Sequence, residues 1–334
     1  MFHLSIRPIR KLRLLWLLFV CITRVAAGQP AGLQTLVQQV WFTTLANKMG
    51  LNKDQFELYQ GAAPLGSTSQ WMWNIFNAIP AKSTDHYYNP AQYNSFSSDY
   101  GLVLVSLVGG DANPMLSNAI IMYGLADQKF AWDKTIGNLQ SALAAGQQLQ
   151  LDTTITIIYL ADTTSATTDT IGVNIQAQFD KYTVFYSSPY SRPDSLNAGL
   201  AAYKPWFCPP VFSVAYNTND NAVWNSQSPV TWQTAFGPNG FMQNMCIGLV
   251  AVDGINIEIS FHDPHPSSTS AAVFSNLMAN SKCYAPIIYS ADSHVSNAGS
   301  GTTNLVYSIK SPPGDPLLLG VIVCTMADFA HRAY

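Results

Sequence analysis

Two histidines, His262 and His265, stand three residues apart in EISFHDPHP, residues 258–266, and Asp292 and His294 follow in SADSHVSN, residues 290–297. Neutral imidazoles are zinc ligands, and three of them converging on one point leave a fourth position open for an activated water. His262, His265 and His294 are the set that would hold zinc, the one cofactor this chain suggests. Glu258 falls four residues before His262 on the same side of an alternating segment. It and Asp292 are the carboxylates that would act as base or orient a ligating imidazole. The competing expectation is that the prolines and Asp263 simply end a strand and leave both histidines in solvent. H-x-x-H here follows a strand instead of sitting on a helix as H-E-x-x-H does.

Other hydrolytic chemistries leave less trace. There is no G-x-S-x-G, and Gly299-Ser300-Gly301 is one residue short of that strained turn. A pair of aspartates working as general acid and base carries no local spacing rule, so a carboxylate hydrolase stays open. Asp111 in LVGGDANP reads as a turn and helix cap, because the glycine spacing and the Lys-Ser/Thr pair of a phosphate loop are missing.

Aromatic residues gather instead on polar stretches. Tyr87, Tyr88 and Tyr93 lie in HYYNPAQYNSFSSDY, residues 86–100, and Trp224 and Trp232 flank a second segment rich in Asn, Ser and Gln. Rings with a polar edge suit stacking against sugars or seating at a membrane interface, which makes these five the candidate ligand-binding residues. The competing expectation is that they pin loops to a core.

The N-terminus sets the compartment. Arg7, Arg10, Lys11 and Arg13 precede the apolar run Leu14–Ile22, and small residues follow at Val25, Ala26 and Ala27. This order describes a cleaved signal peptide over residues 1–28 and an exported, soluble mature chain. Cleavage removes five basic residues and no acid, leaving eleven basic residues against nineteen acidic ones, a net charge of −8. Such a surface repels phosphate backbones and excludes nucleic acid as a partner. In an oxidising compartment Cys208, Cys246, Cys283 and Cys324 predict two disulfides, with buried thiols as the alternative.

Charged residues are only 10% of the chain, and Glu occurs twice, at Glu57 and Glu258; polarity comes from Ser, Thr, Asn, Gln and Tyr. The hydrophobic content of 48% is enough to fill a large core. Residues 29–150 read mainly as helices. The period predicts one ending at Gly50, a short one from Asn52 to Gln60, one capped by Ser67 or Ser69, one opening at Pro114, and one over residues 133–148. GLVLVSLV, residues 101–108, reads as a buried strand. From residue 151 to 334 the period shifts to two. Strands are expected over 153–160, 171–180, 211–216, 285–290, 304–309 and 317–326, and Asp253-Gly254 reads as a hairpin turn between 246–252 and 255–261.

These elements predict an α+β fold, helical first and largely antiparallel β-rich later, as one compact unit with a soft boundary near residue 151. The leading functional expectation is a secreted, non-catalytic recognition or effector protein contacting a glycan, a cell surface or a membrane. The alternative is a secreted hydrolase, zinc-dependent or acid–base. A third is a pore-former built on residues 153–186, whose two strands flank a Thr-rich tip like the amphipathic hairpin of a β-barrel toxin.

Overall fold

The computed structural model describes residues 30–59, 64–80, 87–88, 94–108, 114–125, 132–160, 168–187, 207–263, 291–297 and 303–332. The described helices are α1 (Pro30–Met49), α2 (Ser69–Phe76), α3 (Phe96–Ser106), α4 (Pro114–Leu125), α5 (Asp133–Ala144), α6 (Pro209–Asn217), α7 (Trp232–Phe236) and α8 (Met326–Arg332). The strands are β1 (Phe56–Tyr59), β2 (Tyr87–Tyr88), β3 (Gln147–Leu160), β4 (Thr168–Tyr186), β5 (Asn244–Asp263), β6 (Ala291–Asn297), β7 (Thr303–Lys310) and β8 (Leu317–Thr325). They form one mixed α/β structure around a single sheet of order β2-β1-β8-β5-β4-β3, with β7 also paired to β5 and β6 to β7. Every pairing except β1 with β2 is antiparallel.

The long strand β5 organises everything else. Its first half, through Val252, pairs with β8, and its second half, from Asn256, pairs with β7, while β4 runs along the other side of both. The Asp253-Gly254 hairpin is therefore corrected: the chain runs straight through. Gly254 has φ of 63°, yet that conformation is spent on changing partners, not on reversing direction. The intervening segment SPPGDP, residues 311–316, leaves the sheet here. Ser311 N donates to Ile255 O at 2.9 Å, and Gly314 N donates to Asp253 Oδ1 at 2.9 Å. A Cβ on Gly254 would run into the Asp180 carboxylate as well as suffer the positive φ. Gly254→Ala is thus expected to cost at least about 1–2 kcal/mol, read from the urea midpoint.

The inner half of β5 is buried on both faces. Met245, Cys246, Leu249 and Ala251 face a large core built with α2 to α8, whereas Val250 and Val252 face a second core closed by Trp41, Phe42, Leu45, Ala46 and Met49 of α1. The outer half is covered on one face alone. Ile255, Ile257, Ile259 and Phe261 belong to the α1 core, while Asn256, Glu258 and His262 are exposed. This is the one-sided burial that an antiparallel sheet permits.

Three more local expectations are corrected by packing. Residues 101–108 lie mostly in α3, because Ser95 caps that helix through Ser98 N, and Phe96, Tyr100, Val103 and Leu104 share one buried stripe at helical spacing. Residues 211–216 lie in α6, opened by Pro209 and Pro210, with Val211, Phe212 and Ala215 buried. Asn52 makes a turn, accepting from Asp54 N at 3.0 Å, and the chain then enters β1 instead of a second helix, since Phe56–Leu58 pair with β8. That pairing also binds the early part of the chain to the last strand, so both regions share one sheet. Residues 285–290 lie outside the described residues. No helix among the described residues is long and apolar enough to cross a membrane.

Candidate functional site

Register converts the one-sided alternation of four strands into an ordered surface. Going from β3 through β4 and β5 to β7, one row reads Gln150, Gln178, Asn256, Lys310. The next reads Asp152, Gln176, Glu258, Ser308, and the third Thr154, Asn174, Ser260, Val306. The fourth is Thr156, Gly172, His262, Asn304. Neighbouring positions are about 4.8 Å apart across the strands and about 6.8 Å apart along them. Of these positions only Gly172 and Val306 lack a polar side chain.

Gln150, Asp152, Thr154, Gln176, Asn256, Glu258, His262 and Lys310 are exposed; Thr156, Asn174, Gln178, Ser260, Val306 and Ser308 are half-buried. Asn174 Oδ1, near the centre, makes no hydrogen bond to the described residues. Charge is sparse on this face. Asp152 and Glu258 stand in one row, with Lys310 at a corner and exposed Asp180 just beyond, where Gln178 Nε2 donates to Asp180 Oδ1 at 3.3 Å. The surface can therefore offer many neutral donors and acceptors and little positive charge.

Two members of the proposed zinc set, His262 and His294, map onto different strands of the same sheet. His262 pairs with Asn304, whereas His294 pairs with Val306 in the row of Ser260. The two histidines are two strands apart, about 10 Å across the sheet, and one row out of step. Asp292 pairs with Ser308, two strands from Glu258 in that row. His265 lies outside the described residues. Among the described residues, no group of three His, Cys, Asp or Glu could hold a metal ion.

The aromatic candidates are placed differently. Tyr88 is fully buried and its hydroxyl donates to Ile75 O at 2.6 Å. Trp224 is buried too, its Nε1 donating to Thr218 O at 2.8 Å. Trp232 is half-buried and donates to Tyr216 O at 2.6 Å. These three rings and their polar atoms are engaged by the fold itself. Tyr87 is a backbone position in β2 paired with Leu58, and Tyr93 lies outside the described residues.

The expected pair of disulfides is not seen among the described residues. Cys208, Cys246 and Cys324 are buried and no two of them are bonded to each other, and Cys283 lies outside the described residues. All three thiols fill the larger core as small apolar groups. Burial pushes the Cys246 thiol far up, the nearby Cys324 and Glu57 push it further, and only its bond to Gly248 O, at 3.5 Å, opposes them. Thiolate is the nucleophile, so Cys246 is inert while the protein is folded, and burial keeps reagents from all three. Alkylation of the native protein followed by mass spectrometry is expected to leave all three unmodified, and denaturation to expose them.

Two acids are buried in a way that composition and spacing do not disclose. Glu57 on β1 has an Oε2 with no partner, and burial raises its pKa to about 7. Asp99 on α3 has an unpartnered Oδ2, and burial raises it to about 6. Both belong to the core and not to the open face. What the sequence missed on that face is β3: Gln150, Asp152, Thr154 and Thr156 join it through pairing that periodicity does not specify. The alternation on β4 and β5 was the available signal.

No family model matches the chain, and no curated protein or solved structure matches it either.

Proposed function

We propose that this is a secreted, non-catalytic recognition protein whose contact surface is the polar array on β3, β4, β5 and β7, and whose ligand is a neutral, hydroxyl-rich glycan. The observation that carries the reading is the array itself, four strands wide, with eight of its polar positions exposed. Its exposed Gln, Asn and Thr groups can exchange bonds with water for bonds with sugar hydroxyls, each worth about 0.5–1.5 kcal/mol net. Its acids outnumber its lysine, which disfavours sulfated or phosphorylated ligands. On a glycan array the mature protein is expected to retain neutral polysaccharides and to pass over anionic ones. Retention of the anionic ones alone, or of none, would remove this reading.

A second reading rests on one further observation. Asp152 and Glu258 are both exposed and sit in one row on either side of Gln176, two strand spacings or about 10 Å apart at the backbone. Inverting glycoside hydrolases separate their two carboxyl groups by about 6.5–9.5 Å to admit a water. The acid–base form of the hydrolase alternative would place its acid and base here. Release of reducing ends from a retained polysaccharide, abolished by Glu258→Gln, would favour it over simple binding.

A further inference from the structure

The two ends of the principal sheet are unlike. β2 is two residues long, whereas β3 runs for fourteen and pairs, among the described residues, with β4 alone. A long edge strand presents a row of unpaired N–H and C=O groups to any other strand, and proteins normally blunt such edges with lysine, proline, a bulge or brevity. β3, QQLQLDTTITIIYL, has no proline, no lysine and one charged residue, Asp152. Its register irregularity lies at the start, between Gln147 and Leu149, and leaves the rest regular.

We propose that β3 pairs antiparallel with β3 of a second copy of this chain, about a two-fold axis through Thr153. The sequence is self-complementary in that register. Thr153 meets itself, Leu151 meets Ile155, and Leu149 meets Ile157, so apolar positions of one alternation stay matched. On the other side Asp152 meets Thr154 and Gln150 meets Thr156. An axis through Asp152 would oppose two carboxylates directly. One through Thr154 would set Gln150 against Ile158, where the alternation of the strand fails. The Thr153 axis alone matches both faces from 149 to 157. It also joins the polar arrays of two copies into one continuous surface, although the pairing rests on the strand edge and not on the identity of any ligand.

Sedimentation equilibrium of the mature protein over a concentration series tests this. The expected result is twice the chain mass at high concentration. Thr154→Asp places a carboxylate opposite Asp152 at both ends of the pairing and is expected to give a monomer with an unchanged circular dichroism spectrum. Asp152→Lys combined with Thr154→Asp is expected to restore the dimer. Should Thr154→Asp not fold, amide exchange of the unaltered protein decides instead, since protection over 149–157 must rise with protein concentration. A monomer at every concentration, a dimer indifferent to Thr154→Asp, protection over 149–157 independent of concentration, or protection gained only on adding phosphatidylcholine vesicles would overturn the proposal. The last result would assign the edge to a membrane.

Discussion

Phe212→Ala is expected to cost about 3–5 kcal/mol, a large part of the whole stability of an ordinary domain. The Phe212 ring on α6 has no exposed surface. Its centroid lies 5.5 Å from Phe207, 5.5 Å from Phe236, 6.0 Å from Phe329, 6.1 Å from Phe96 and 6.2 Å from Tyr100. These partners come from α3, α7, α8 and the residues preceding α6, so the ring is where separate helices become one layer. Alanine would forfeit the buried area and leave a cavity that five rings, fixed by one another, cannot collapse to fill. Urea unfolding is the check. The midpoint should fall steeply with the slope unchanged, and a loss under about 1 kcal/mol would mean that the ring cluster is not packed as described.

Glu57→Gln is expected to stabilise the protein above neutral pH, an unusual sign for a core substitution. Glu57 is 7% exposed and burial holds its pKa at about 7, against 4.5 for the ordinary group. Between those values the folded state binds the proton and the unfolded state does not, so stability falls as pH rises through this window. Above it the charged form costs the folded protein about 3 kcal/mol, most of which glutamine recovers. Asp99, raised from 3.8 to about 6 by burial, tilts the same way over a slightly lower window. Unfolding free energies at about pH 4.5 and pH 8 should therefore differ markedly in the parent and much less in Glu57→Gln. Equal slopes in the two proteins would show that Glu57 is not buried in its charged form.

How legible all this was in the sequence depended on which force decided each element. The stop of α1 at Gly50 and the starts of α4 at Pro114 and α5 at Asp133 were readable, but 133–148 reads as helix whereas α5 ends at Ala144 and Gln147 already opens β3. GLVLVSLV misled because β-branched residues argue for a strand locally, while Ser95 and the packing of Tyr100 against Phe207, 4.8 Å between centroids, decided for a helix. Asp253-Gly254 misled in a more general way. Positive φ at Gly254 was correctly implied, but a sequence states a backbone conformation and not the partner strand. Only the switch from β8 to β7 shows what the conformation is for. The candidate site was half visible for the same reason. Asn256, Glu258, Ser260 and His262 could be put on one face from alternation alone. That Gln176 and Asp152 lie beside Glu258 is a fact of pairing between segments about 80 and 100 residues away, which no local pattern carries.

The most direct test of the polar array as a contact surface is calorimetric titration of the mature protein with a neutral polysaccharide it retains, alongside the double variant Gln176→Ala, Glu258→Ala. Both residues are exposed, so the fold is expected to survive, and loss of two hydrogen-bonding groups predicts affinity weaker by about tenfold or more. Unchanged affinity in the folded double variant would contradict the account and move the contact surface off this sheet.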